Sequence, residues 1–123
     1  MLVPLWYVYM DGALFFSTSS RSSKMKHLKR DPRVCCLIEE GEQWLDSKAV
    51  VISCEAHFVD AASEEATSHR AQSKQKYAAF RPEMKKAPGV TQQYCSTETS
   101  LIKLIPKEKE VRSWYNRKIK GFA

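Results

Sequence analysis

The run LFFSTSSRSSKMKHLKRDPRV, from Leu14 to Val34, constrains this chain more than any other stretch. An apolar strand ends in hydroxyls, passes through a Ser/Arg/Ser loop and enters a short basic helix. Met25 and Leu28 recur at the spacing of one helix face. Asp31-Pro32 stops the helix, because the residue before a proline is pushed out of the helical region. A strand that hands over to a helix in this way presents hydroxyls and the forward-pointing N–H groups of a helix start. Here Ser17, Thr18, Ser22 and Ser23 carry the hydroxyls, while Arg21 and Lys24 add positive charge. That chemistry suits a phosphate. The run holds no glycine, so it is not a P-loop, and a Ser-rich turn beside a solvated lysine reads equally well from these residues alone.

The rest of the chain is consistent with one small β-rich domain. Its 123 residues provide for one core and are too few for two ordinary ones. With 43% hydrophobic and 28% charged residues the composition is globular, which excludes a disordered chain. The net charge of +6 favours anionic ligands, but the basic excess is spread along the sequence. MLVPLWYVYM is apolar, yet it contains Pro4, lacks a basic start and stops at Asp11-Gly12, well short of the roughly 20 residues a membrane span needs. A cytoplasmic protein without a membrane partner is expected. The four cysteines form no CxxC pair and follow no secretory signal, so reduced thiols are expected.

Leu2–Tyr9 reads as a strand, turning at Asp11-Gly12 into a second strand over Ala13–Thr18. A third strand covers Arg33–Glu39. Ala49–Phe58 has the clearest alternation, with Val50, Ile52, Cys54, Ala56 and Phe58 on one side. Asp60 is the expected N-cap of a helix from Ala61 to about Phe80, lying lightly on the sheet through Ala62, Ala66, Tyr77 and Phe80. Arg81–Ser100 reads as loop or broken helix, Leu101–Ile105 as a strand and Glu110–Tyr115 as a last one. The order β-β-α-β-β-α-β-β describes a mainly β, α+β fold: a small antiparallel barrel with peripheral helices.

PLWYVYMDGALFFSTSSRSSKMKHLKRDPRV, then AVVISCEAHFVD and IKLIPKEKEVRSWYNRK, resemble the FMN-binding split-barrel superfamily typified by pyridoxamine 5'-phosphate oxidase, above all its small oxidase-related members. The likeness covers nearly the whole chain. It implies one split-barrel flavin-binding-like domain over 1–123, a homodimer with the cofactor at the subunit interface, and an FMN-dependent oxidoreductase acting on a small molecule. The strand-end hydroxyls Ser17 and Thr18 and the helix-start Lys24 would hold the FMN phosphate, with Ser23 and Arg21 beside them and Lys48 near the ring. Relatives carry an arginine where this chain has Ser23, and Arg21 would compensate. They also carry a helix and a strand before the strand that begins here at Leu2, and without these either another subunit or element covers an apolar edge or this start is internal to a longer gene product. The Arg/His/Asp/Arg run with which the oxidase grips pyridoxal is replaced here by Ser113-Trp114-Tyr115-Asn116-Arg117-Lys118, which argues against vitamin B6 oxidation. Two alternatives keep the fold: a deazaflavin-dependent reductase, or a non-enzymatic ligand- or partner-binding barrel with an eroded flavin site.

No spacing identifies a catalytic acid, base or nucleophile. His27, His57 and His69 have no metal-ligand spacing and are expected at the surface, so no metal is expected. Cys35 and Cys36, adjacent in a strand, should face opposite sides. Trp6, Trp44 and Trp114 are expected in the barrel or at an interface. The basic helix lacks interleaved aromatics, which favours a solvated face over nucleic-acid contact.

Overall fold

The computed structural model describes residues 2–80, 89 and 98–116. Strand β1 (Val8–Met10) turns through Asp11 and Gly12 into β2 (Ala13–Ser19). Both turn residues have positive φ, 49° and 78°, the backbone twist that joins two strands through a two-residue loop. Helix α1 (Ser23–Arg30) leads to β3 (Arg33–Glu40) and β4 (Lys48–Val59). Helix α2 (Glu64–Lys76) and β5 (Thr99–Tyr115) complete the architecture. All pairings are antiparallel, in the order β1-β2-β5-β4-β3. This is the expected mainly β, α+β fold. Most of the expected 81–100 loop, and Cys95, fall outside the described residues.

The apolar character of β2 on both sides is explained by its position between two layers. Leu14 and Phe16 join Cys54, Ala56, Ile102 and Leu104 on one face, closed by Met25 of α1. Leu28, Val34, Cys36 and Ile38 pack around them. On the other face Phe15 joins Val8, Met10 and Ala13, with Val59 and Leu101 alongside. Helix α2 lies on this second face, where the His69 ring is 6.5 Å from Phe15 and Lys103 Nζ meets Glu65 Oε2 at 2.7 Å. Burying a side chain such as Phe15 or Ile102, each almost wholly enclosed, contributes about 2–3 kcal/mol. Among the described residues no helix is long and apolar enough to cross a membrane.

Several elements differ from the expected ones. Strand β1 begins at Val8, not Leu2, and the Tyr7 backbone before it is engaged by side chains of α2's end: its N–H donates to Tyr77 Oη and its carbonyl accepts from Tyr77 Oη and Lys76 Nζ, all at 2.9 Å. The last two expected strands are one. Cys54 opposes Pro106 and Ile52 opposes Val111, so Lys107–Glu110 bulge out against Ser53 alone. Pro106 has no N–H to give the ladder, and the odd excess of residues reverses the in-out alternation beyond the bulge. Helix α2 starts later than Ala61 because Ser63, not Asp60, caps it by accepting from the Ala66 N–H at 3.2 Å. Asp60 instead builds the preceding turn, its carboxylate accepting from the Ala62 N–H. Of its expected apolar face, Ala66 is buried and Phe80 is exposed. His69, expected at the surface, is buried, since a helix this poor in apolar residues packs with what lies one turn from Ala66. Trp6, Trp44 and Trp114 all keep about half their surface in solvent, so none is a barrel-core residue.

Candidate functional site

The β2–α1 junction is built by its own hydroxyls. The Ser19 carbonyl accepts from the Ser22 N–H at 3.0 Å, and the Ser19 Oγ accepts from the Arg21 N–H at 3.4 Å. Ser20 is tied to β5, its N–H donating to the Glu98 carbonyl and its Oγ 2.8 Å from Ser100 Oγ. Buried Thr18 donates its hydroxyl to Ser22 Oγ at 3.5 Å. Ser22, the N-cap, makes no side-chain cap bond, although its carbonyl accepts from Met25 N–H. The N–H groups of Ser23 and Lys24 therefore have no acceptor among the described residues.

Charge at this helix start is also uncompensated. The first turn of α1 holds no acid, whereas that of α2 holds Glu64 and Glu65. A helix N-terminus favours anions, so Lys24 there is placed against the dipole unless a negative group joins it. Neither Lys24 nor exposed Arg21 forms an ion pair among the described residues. Ser17 is exposed at the end of β2, and Ser23 is exposed on the first turn of α1. Thr18, Arg21, Ser23 and Lys24, four of the six expected site residues, belong to one strand-to-helix junction, whereas Ser17, next to Thr18 in β2 and paired with Leu101, faces the other side of the sheet. The junction's open donors fit the phosphate of a bound nucleotide.

Lys48 does not join them within one chain. It starts β4, pairs with Glu40 at 2.6 Å and stands opposite Tyr115. The β3 residue that follows α1, Arg33, meets β4 at Glu55, about 23 Å of extended chain from Lys48. The hydrogen bond that Lys48 donates to the Glu40 carboxylate raises the Lys48 pKa.

Other reactive groups lie elsewhere. Burial and the neighbouring Cys36 push the Cys54 thiol up to about 12. Burial likewise raises Cys36, while Cys35 points to the exposed side, as adjacent strand residues must. Among the described residues the cysteines are free, and no group of three or more His, Cys, Asp or Glu could hold a metal. Two open surface grooves, one between β1 and α2 and one beside the β5 bulge, both miss the junction.

The sequence reading passed over Asn116. Buried at the end of β5, it accepts from Trp114 Nε1 and donates its amide to the Trp44 carbonyl. It thereby locks the β3–β4 connection to β5. Nothing local signals this, since an Asn near a chain end ordinarily reads as a solvated turn.

No protein-family model and no curated protein matches the chain. Solved structures do. The conserved hypothetical protein Rv2991 from Mycobacterium tuberculosis is 25% identical, with a TM-score of 0.66 over 97% of this chain and 72% of that one. An FAD-binding protein, mll6688, from Mesorhizobium loti superposes with a TM-score of 0.64 over 90% of this chain and 71% of its own, at 16% identity. HutZ, the heme storage protein of Vibrio cholerae, gives 0.64 over 90% and 72%, also at 16% identity. At 16% identity the likeness is one of fold.

Proposed function

We propose that this chain, which has the split-barrel fold of the pyridoxamine 5'-phosphate oxidase-like superfamily, binds FMN and works as an oxidoreductase on a small molecule. The observation that carries the reading is the unpaired donor set at the start of α1. Lys24 supplies the ionic anchor for the phosphate, and the N–H groups of Ser23 and Lys24 bond its oxygens. Ser23 adds a hydroxyl and Arg21 a second charge, while buried Thr18 acts through its bond to Ser22 Oγ. When bound, a flavin held by these residues would supply hydride-transfer chemistry. The chain's own residues bind it, orient it and exclude water, which accounts for a sequence without an evident catalytic acid or base.

In this reading a second copy completes the site. Leu37, Val51 and Trp114 are 54%, 38% and 59% exposed. They share one face of β3, β4 and β5, through the pairings Leu37↔Val51 and Ala49↔Trp114. A homodimer through this face covers them, and Lys48 then reaches a ring only across the interface.

The test is a visible absorption spectrum after FMN addition and desalting, for the wild type and for Lys24→Ala. The wild type is expected to stay yellow, and the variant to retain FMN at least ~10-fold less tightly, as loss of a charged phosphate contact requires. Equal retention removes Lys24 from its role. A wild type that takes up only deazaflavin changes the cofactor, one that takes up heme instead removes flavin altogether, and one that takes up no pigment leaves a ligand- or partner-binding barrel.

A further inference from the structure

The corner at which β2 leaves the sheet is tied to a residue 80 positions away in the chain. The ladder between β2 and β5 ends at Ser19, opposite Thr99. One residue on, the Ser20 N–H still donates to the Glu98 carbonyl at 2.9 Å. The Ser19 carbonyl accepts from the Ser22 N–H at 3.0 Å, which makes Ser20 and Arg21 the two corner residues of a tight turn. Helix α1 begins directly after it, at Ser23. The aim of the Ser23 and Lys24 N–H groups therefore depends on how this corner is held.

Two hydroxyl couples hold it, one at each end. Thr18 and Ser100 are partners in register, so their side chains share the face that carries Phe16 and Ile102. On that face Ser100 Oγ lies 2.8 Å from the Oγ of Ser20, the first corner residue. Thr18 donates to Ser22, the N-cap, at 3.5 Å. Thr18 is buried and Ser20 and Ser100 are half-buried, so water competes for these hydroxyls less than it would at an open surface.

We infer that Ser100 is a positioning residue for the phosphate contacts at the start of α1: by fixing Ser20 it sets the direction in which Arg21 and the Ser23 and Lys24 N–H groups are presented. The inference rests on the flavin reading and adds to its site a residue from another strand. Without the Ser100 hydroxyl, Ser20 keeps its backbone bond to Glu98, but its side chain turns freely and the corner loosens. Binding must then order donors that the wild type holds in place beforehand. That loss falls on the phosphate, because only the phosphate is held through this corner.

The experiment measures FMN and riboflavin affinity by fluorescence for the wild type, Ser100→Ala, Ser100→Thr, Ser20→Ala and Lys24→Ala. Riboflavin has the same ring without the phosphate, so the ratio of the two affinities reads the phosphate contacts. The wild type is expected to prefer FMN, and Ser100→Ala to reduce that preference about 5-fold, as loss of one hydrogen bond would. Ser100→Thr restores a hydroxyl and is expected to recover the preference. Ser20→Ala is expected to match Ser100→Ala, with no further loss in the double variant. If Lys24→Ala lowers the preference and Ser100→Ala does not, or if Ser100→Ala weakens both ligands equally, the positioning role is overturned and the phosphate site stands. A wild type that binds FMN no better than riboflavin overturns the phosphate site and the positioning role together.

Discussion

Asp31 shows how a single side chain ends one element and starts another. Its N–H donates to the His27 carbonyl at the end of α1, while its carboxylate accepts from the Arg33 N–H and from the Arg33 guanidinium, the shortest contact being 2.6 Å. These bonds from Arg33 hold the Asp31 carboxyl down at about 2, from an ordinary value of 3.8. A depressed carboxyl contributes its stability above the unfolded value and loses it as pH falls through the folded one. The tie is therefore complete at neutral pH and is lost between 3.8 and about 2. Carbon-13 NMR of the Asp31 carboxyl is expected to show a midpoint near the lower figure, moving back towards the upper one in Arg33→Ala. Both side chains are largely exposed, so the effect on global stability is small. A midpoint at the ordinary carboxylate value would show that the pair is not formed in solution.

At the scale of elements, the two described connections that use positive φ are not equally demanding. Gly12, at 78°, has open space where a Cβ would stand. Gly41, at 119°, would place a Cβ 2.5 Å from the Asp46 carbonyl oxygen, because the 3₁₀ turn over Trp44–Asp46 folds back onto it. Gly12→Ala is expected to cost about 1 kcal/mol through backbone strain alone. Gly41→Ala should cost about 3 kcal/mol, since the turn must also move. Urea denaturation midpoints rank the two, and the opposite order would sink the assignment of the close approach. The hairpin was legible at Asp11-Gly12, because that dipeptide between apolar runs has a local cause. The β5 bulge was not. Pro106 and the charged stretch after it look like the end of one strand and the start of another, and only pairing with β4 makes them continuous.

For the whole molecule, the proposed homodimer rests on the face bearing Leu37, Val51 and Trp114. Leu37→Lys/Val51→Lys places two charges on it without touching the buried layers. In sedimentation this variant is expected to lose the dimer and, if the cofactor lies at the interface, most of its FMN retention as well. Dimers that survive both charges would move the interface elsewhere. By itself the sequence determined strands β2, β3 and β4, the hairpin and the strand-to-helix handover, because each rests on neighbours within a few residues. Only the tertiary structure decided that β2 lies between two layers, that His69 is buried, that Lys48 stands apart from the junction and that Tyr77 caps Tyr7. Those facts depend on partners separated by tens of residues, and alternation or propensity within a short window carries no information about which distant side chain will arrive.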